Sequence, residues 1–367
     1  MKNVWTNNFI LLVTAIVISL LLHVAHVLLP FMFGPIIASI IVIKVFKLEV
    51  KWPFWLSQIG LILLGVQIGS TFTSEVLHDI KNDWLIIVVI TLLLLVLSLL
   101  IAFFFKKIAR VNTETAILSV IPGALSQMLI MAEENKKANI LVVSLTQTSR
   151  VIFVVILVPL ISYFFSSDGG NETTSIKSPP LTEVLNLSQI IILMCCIAII
   201  YSLMAKINFP TKQLLAPIVV LVIWNLTTHH TFTLDNYILA TAQVIYMIRI
   251  GLQIANLLSD LKGRIAVAII YQNVFLIIGS FIMVYIVHIF TNNNINELFL
   301  GGAPGGMSQI VLVAMATGAD VAMISSFHIF RIFFILFVVA PVIGFFLRGG
   351  ISKFHQKDRL CHVKFKR

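Results

Sequence analysis

The sequence predicts an all-α polytopic membrane protein made of two inverted repeats, each with about five transmembrane helices plus one re-entrant or broken helical segment. Three observations predict it. The 367 residues are 59% hydrophobic and only 11% charged, against about 25% charged in soluble domains. Apolar stretches near 20 residues long recur along the whole chain, the length that crosses a bilayer as helix. Polar and proline landmarks of the first half return in the same order in the second.

The stretches lie at about 8–29, 31–48, 56–77, 84–107, 113–133 and 139–165, then 188–205, 211–228, 236–259, 265–290, 297–317 and 321–347. The first is read as a retained span, because it is too long for a signal-peptide core and no small-residue cleavage site follows. These stretches set the expected domains: a first membrane repeat over 1–165, a polar extracytoplasmic linker over 166–187, a second repeat over 188–347 and a basic cytoplasmic tail over 348–367.

The duplication rests on four landmarks. Ile121-Pro122-Gly123-Ala124-Leu125-Ser126-Gln127-Met128 matches Ala303-Pro304-Gly305-Gly306-Met307-Ser308-Gln309-Ile310. Gly65-Val66-Gln67-Ile68-Gly69 matches Gly251-Leu252-Gln253-Ile254-Ala255, and Gly34-Pro35 matches Ala216-Pro217. Gln147-Thr148-Ser149-Arg150 matches His328-Ile329-Phe330-Arg331, each followed by a proline, Pro159 and Pro341. Leucine-rich helices that resembled one another by chance would not keep polar and proline positions.

Charge decides between parallel and inverted repeats. If all twelve stretches cross, about 15 Lys and Arg fall on the cytoplasmic side and 7 outside. If the fifth and eleventh enter and leave on one side, the split becomes about 20 against 2, with only Lys81 and Lys177 outside. The second arrangement fits the positive-inside bias far better. It leaves five spans per half, and an odd number inverts the second half. Both termini are then cytoplasmic. The same two stretches carry Pro122-Gly123 and Pro304-Gly305-Gly306, which interrupt a helix. Non-helical backbone at membrane depth persists only where protein or a wet cavity surrounds it.

The chemistry-bearing candidates follow from these breaks. Arg150 and Arg331 lie at one depth inside their stretches, and an ionised residue there is by default functional. They are expected to neutralise a substrate or to orient the re-entrant tips; a static bridge to Asp79, Asp260 or another carboxylate is the rival account. Arg249 has no basic counterpart in the first half. The expected substrate-binding set is Pro122, Gly123, Ser126, Gln127, Arg150, Pro304, Gly305, Gly306, Ser308, Gln309, His328 and Arg331. No carboxylate sits at the centre of a span, and helix ends at the breaks offer free N–H groups to anions. A small anionic or zwitterionic solute is therefore the expected partner, beside the lipid bilayer, with a coupling ion and a homodimer as further expectations.

Other classes fit less well. The net charge of +10 comes from Lys and Arg between apolar stretches and in the tail, which is the membrane bias and not a nucleic-acid footprint. The glycine run at 301–306 lacks the Lys-Ser/Thr of a phosphate loop. Cys195, Cys196 and Cys361 show no pairing or metal spacing, and His23 and His26 have no convergent partners. No metal, no cofactor and no enzyme activity are expected.

The Ala-Pro-Gly-Gly-Met-Ser-Gln run at 303–309 and its partner Ile-Pro-Gly-Ala-Leu-Ser-Gln at 121–127 resemble the AbrB family of bacterial membrane proteins, with Ala124 where the second copy has Gly306. The resemblance implies an internally duplicated integral membrane protein of the cytoplasmic membrane. That family is named for a regulator of gene expression, and its members often carry an ammonia-monooxygenase label. It leaves open a membrane-bound regulator acting indirectly or through a partner and, with less support, a membrane monooxygenase. The inferred layout is also similar to that of elevator-type carboxylate carriers.

Overall fold

A computed structural model describes residues 2–165 and 179–345, apart from 28, 124, 136, 208, 229, 230, 261 and 292. Most of the linker and the basic tail, with Asp168, Glu172, Lys177 and Cys361, lie outside the described residues. The described chain is helical. The first half runs α1 (Lys2–Val24), α2 (Pro30–Ile40), α3 (Phe54–Ser70), α4 (Ser74–Ala109), α5 (Thr113–Val120), α6 (Leu125–Glu134) and α7 (Ile140–Phe165). A single turn, α8 (Leu181–Val184), leads into the second half: α9 (Leu187–Lys206), α10 (Lys212–Thr228), α11 (Asn236–Asp260), α12 (Gly263–Thr291), α13 (Ile295–Gly302), α14 (Met307–Thr317) and α15 (Val321–Phe334). Thus one series of seven elements occurs twice: two long or medium helices, two more, a broken pair of short ones and a final helix.

Among the described residues, 7 helices are long and apolar enough to cross a membrane: α1, α4, α7, α9, α11, α12 and α15 with its continuation. Three crossings expected from sequence are shorter. The α3 and α10 helices have 17 residues each, at the lower limit of a span, and α2 continues through a π turn at Ile41–Val45. The outer surface is apolar. Trp5, Phe103, Phe164, Met194 and Phe290 are exposed, and α9 buries only Leu193. Apolar surface of this extent is stable against lipid and not against water. The protein is an all-α polytopic membrane protein.

Its inner helices cross between halves. The α3 helix packs on α10 and α11 on α2, while α4 lies along α12. Small residues make the first two crossings close, as is usual where helices meet in lipid. A Cβ added at Gly65 would meet Leu214 O at 2.6 Å, and one added at Gly251 would meet the Ile36 Cα at 2.8 Å. Gly65 and Gly251 are landmarks matched in the sequence, and each makes a close approach to a helix of the other half.

Gly251→Leu should therefore destabilise the fold by about 1–3 kcal/mol through overpacking against backbone that has no room to yield. Gly344→Ala, where a Cβ meets nothing within 4 Å, is the control and should be neutral or slightly stabilising. Thermal unfolding in detergent checks both. Equal melting temperatures for wild type and Gly251→Leu would contradict the close crossing.

Candidate functional site

The two broken segments are built alike from their first residue. Asn112 starts α5 by accepting from the Thr115 N–H at 3.0 Å. Asn294 starts α13 by accepting from the Asn296 and Glu297 N–H groups at 2.9 and 3.4 Å. A side-chain oxygen at this position satisfies a donor that the first turn cannot. Each helix lasts only eight residues because a proline follows. The residue before a proline is pushed out of the helical region. Accordingly Ile121 has ψ 123° and Ala303 has ψ 139°, both outside the helical region. Gly123 follows with φ +109°, a conformation open to glycine and costly for side chains that carry a Cβ. The expected interruptions at Pro122-Gly123 and Pro304-Gly305 are both present, and α6 and α14 start beyond them.

A helix that stops leaves its last carbonyls without partners. In α5 those carbonyls are taken by α7. The Arg150 guanidinium donates to the Ser119, Val120 and Ile121 carbonyls at 3.0, 2.8 and 3.1 Å. The Gln147 amide donates to Leu118 and Ile121 at 2.8 and 3.1 Å, and its oxygen accepts from Arg150 at 3.1 Å. In α13 the carbonyls are taken by α15. Arg331 donates to the Ala303 carbonyl at 2.7 Å and to that of Gly301, while His328 meets the Leu300 carbonyl at 3.0 Å. Gln147 and His328 are matched positions, as are Arg150 and Arg331. The same cap has been built twice, with a change of side chain at one position. The cation also complements the negative end of each short helix. Of the two roles expected for the arginine pair, holding the tips is the one these bonds perform. Among the described residues neither guanidinium pairs with a carboxylate; the side chain of Asp260, one candidate partner, lies outside them.

The breaks and caps interlock across the halves. A Cβ on Gly123 would lie 2.8 Å from Ile335 Cδ1 and 3.3 Å from Arg331 Cδ. A Cβ on Gly305 would lie 2.6 Å from Val154 Cγ1. Ile335 and Val154 each stand four residues beyond their arginine, one helical turn away. Each break therefore rests on the arginine-bearing helix of the other half.

Between them opens a cavity of about 390 Å³, the scale of a small-molecule site. Nine of the twelve residues expected from sequence line it. Gly123 and Arg150 come from the first half; Pro304, Gly305, Gly306, Ser308, Gln309, His328 and Arg331 come from the second. Pro122 is buried away from it, Gln127 is half-buried outside it, and the Ser126 side chain lies outside the described residues. The first break thus contributes less than the sequence repeat implies.

Several lining residues lie outside the substrate-binding set expected from sequence. Tyr246, Arg249, Ile250 and Gln253 line it from α11, and Phe54, Gln58 and Leu61 from α3. Their spacing, i, i+3, i+4, i+7 and i, i+4, i+7, marks one face of each helix. The Tyr246 hydroxyl is tied to the start of α14 by Ser308 Oγ at 2.8 Å and by the Gln309 amide, which donates at 2.9 Å. The Arg249 guanidinium stacks on the Phe54 ring, 4.2 Å from its centroid. Among the described residues no Asp or Glu lines the cavity.

These features define a polytopic membrane protein whose paired broken helices enclose a cationic cavity. Residues 31–347 match the family described as "Transition state regulatory protein AbrB". The chain belongs to that family. It is 23% identical over 302 residues to "Uncharacterized protein YhjN" of Bacillus subtilis (strain 168), covering 78% of this chain and 77% of that one. It is also 23% identical over 338 residues to "Putative regulator AbrB" of Escherichia coli (strain K12), covering 90% of this chain and 94% of that one.

Replacing either capping arginine should destabilise the protein. Arg331→Met strands the Gly301 carbonyl in an apolar interior, at about 1–3 kcal/mol, and leaves the Ala303 carbonyl only its bond from the Gly305 N–H at 2.9 Å. Arg150→Met strands the Ser119 and Val120 carbonyls and leaves that of Ile121 only its bond from Gln147. Both variants should unfold several degrees below wild type in a thermal melt. Wild-type melting in both would show that the caps hold nothing.

Proposed function

We propose that this protein is a secondary transporter of a small anionic or zwitterionic solute, working by alternating access in the cytoplasmic membrane. The observation that carries the proposal is the cavity itself. Among the described residues three guanidinium groups and no carboxylate line it, and two interrupted helices close on it. Discontinuous helices around a central cavity are the arrangement by which transporters expose backbone N–H groups to substrate.

Two further features support this reading. Counting α5–α6 and α13–α14 each as a re-entrant pair leaves five crossing helices in each series, and an odd number inverts the second relative to the first. The Lys and Arg distribution then places both termini and the 133–137 loop in the cytoplasm, with the 166–187 linker outside. On this reading the protein does no covalent chemistry. The regulatory names of the family and of the Escherichia coli relative favour a second reading, a membrane-bound regulator working through a partner; under transport, such effects lie downstream of solute movement.

The protein reconstituted in liposomes should take up a labelled solute from a panel of carboxylates and amino acids. Uptake should saturate and should accelerate when the same unlabelled solute is loaded inside. Absence of such trans-stimulation across the panel would sink the transport reading. Inversion has its own check in Gly170→Cys, made without the native cysteines. It should react with an impermeant maleimide on intact cells; labelling only after permeabilisation would remove the inversion.

A further inference from the structure

We propose that Arg249 is the residue that pairs with the anionic group of the substrate, and that this group is a carboxylate held between Arg249 and the first turn of α14. This rests on the transport reading and assigns its substrate contact. The three guanidiniums of the cavity are not equivalent. Arg150 and Arg331 donate to backbone carbonyls of the broken helices. Arg249 makes no hydrogen bond or ion pair among the described residues; the Phe54 ring lies beneath it. A guanidinium stacked on an aromatic face keeps its N–H edge free, and that edge matches the two oxygens of a carboxylate. The aromatic ring holds the plane in place by cation–π attraction.

The first turn of α14 supplies the second half of the site. Gly306 begins this 11-residue helix without a side-chain cap, so its leading N–H groups have no intrahelical partner. Gly306, Met307, Ser308 and Gln309 all line the cavity. Gln309 is 4% exposed, and its Oε1 is buried without a partner. A buried amide oxygen left unpaired on a residue that lines a cavity calls for a ligand donor there, or for an amide turned to give its N–H groups to an anion. Tyr246 binds Ser308 and Gln309 and stands one turn before Arg249 on the same face of α11. The free guanidinium and the uncapped helix start therefore address one space.

The duplication argues the same way. Gly65 matches Gly251, and that register places Gly60 opposite Tyr246 and Leu63 opposite Arg249. The capping arginines occur in both halves, as a structural device would. The Tyr246–Arg249 pair occurs in one half only. The site is thus displaced from the centre between the arginine caps toward the second break.

The test uses the full-length purified protein and a panel of short monocarboxylates, α-amino acids, matched alcohols and matched amines. Carboxylates should raise the melting temperature by mass action, and the alcohols and amines should not. Arg249→Gln should weaken carboxylate binding about ten- to a hundredfold, the worth of a charge-assisted hydrogen bond. Its unliganded melting temperature should stay close to wild type. Arg249→Lys keeps the charge, covers the case in which Gln fails to fold, and should bind more weakly than wild type. Unchanged carboxylate affinity in both folded variants overturns the assignment, as does a panel in which no carboxylate binds wild type. If a carboxylate binds through Arg249 but shows no trans-stimulated uptake, the transport reading fails and the site stands. If it is transported and Arg249→Gln binds it normally, the site fails and transport stands.

Discussion

A helix that ends inside a membrane must find partners for its last carbonyls, and most of this structure follows from how that is done. A backbone group buried there without a partner costs several kcal/mol. Two helices here, α5 and α13, end at a proline after eight residues. Arginine meets the need because it stays charged, reaches far and carries five donors. Arg150 and Arg331 use that reach to hold carbonyls about thirty positions earlier in the chain. Once they do, each break is fixed against the final helix of its own half. The glycine of the break then rests on the corresponding helix of the other half. The cavity is the space these constraints leave.

This separates two uses of buried positive charge that look the same in a sequence. A guanidinium bonded to carbonyls is part of the frame, and changing it changes stability first. A guanidinium stacked on a ring with its donors unspent is available to something else. Arg249 is of the second kind, and it stands in the half that also supplies seven of the nine expected lining residues. The duplicated frame therefore encloses an asymmetric interior.

Much of the frame was legible in the sequence for simple reasons. A proline cannot continue a helix, so Pro122 and Pro304 mark the breaks outright. Arginines at one depth in two apolar stretches stand out because their cost demands a cause. Asn112 and Asn294 could have been read too, since they keep the register of the breaks and asparagine favours helix starts. What could not be read is whom an arginine faces. Carbonyls carry no sequence signal, so capping and substrate binding stayed open together. The α11 face was hidden for another reason. Arg249 stood out as a buried charge but fell outside the expected binding set because it has no basic counterpart in the first half, and Tyr246 carries no repeat signal at all. The repeat also overvalued Gln127, whose matched partner Gln309 lines the cavity while it does not.

The central claim is that each break packs on the arginine-bearing helix of the other half, and a cysteine pair across one such contact tests it most directly. Val154→Cys and Gly305→Cys, in a background with Cys195, Cys196 and Cys361 replaced by serine, place two thiols where a Cβ at 305 meets the Val154 side chain at 2.6 Å. That approach is within the reach of a disulfide. Mild oxidation in the membrane should join the two peptides within one chain, as read by mass spectrometry after digestion. Recovery of both cysteines as free thiols under the same oxidation would contradict the account.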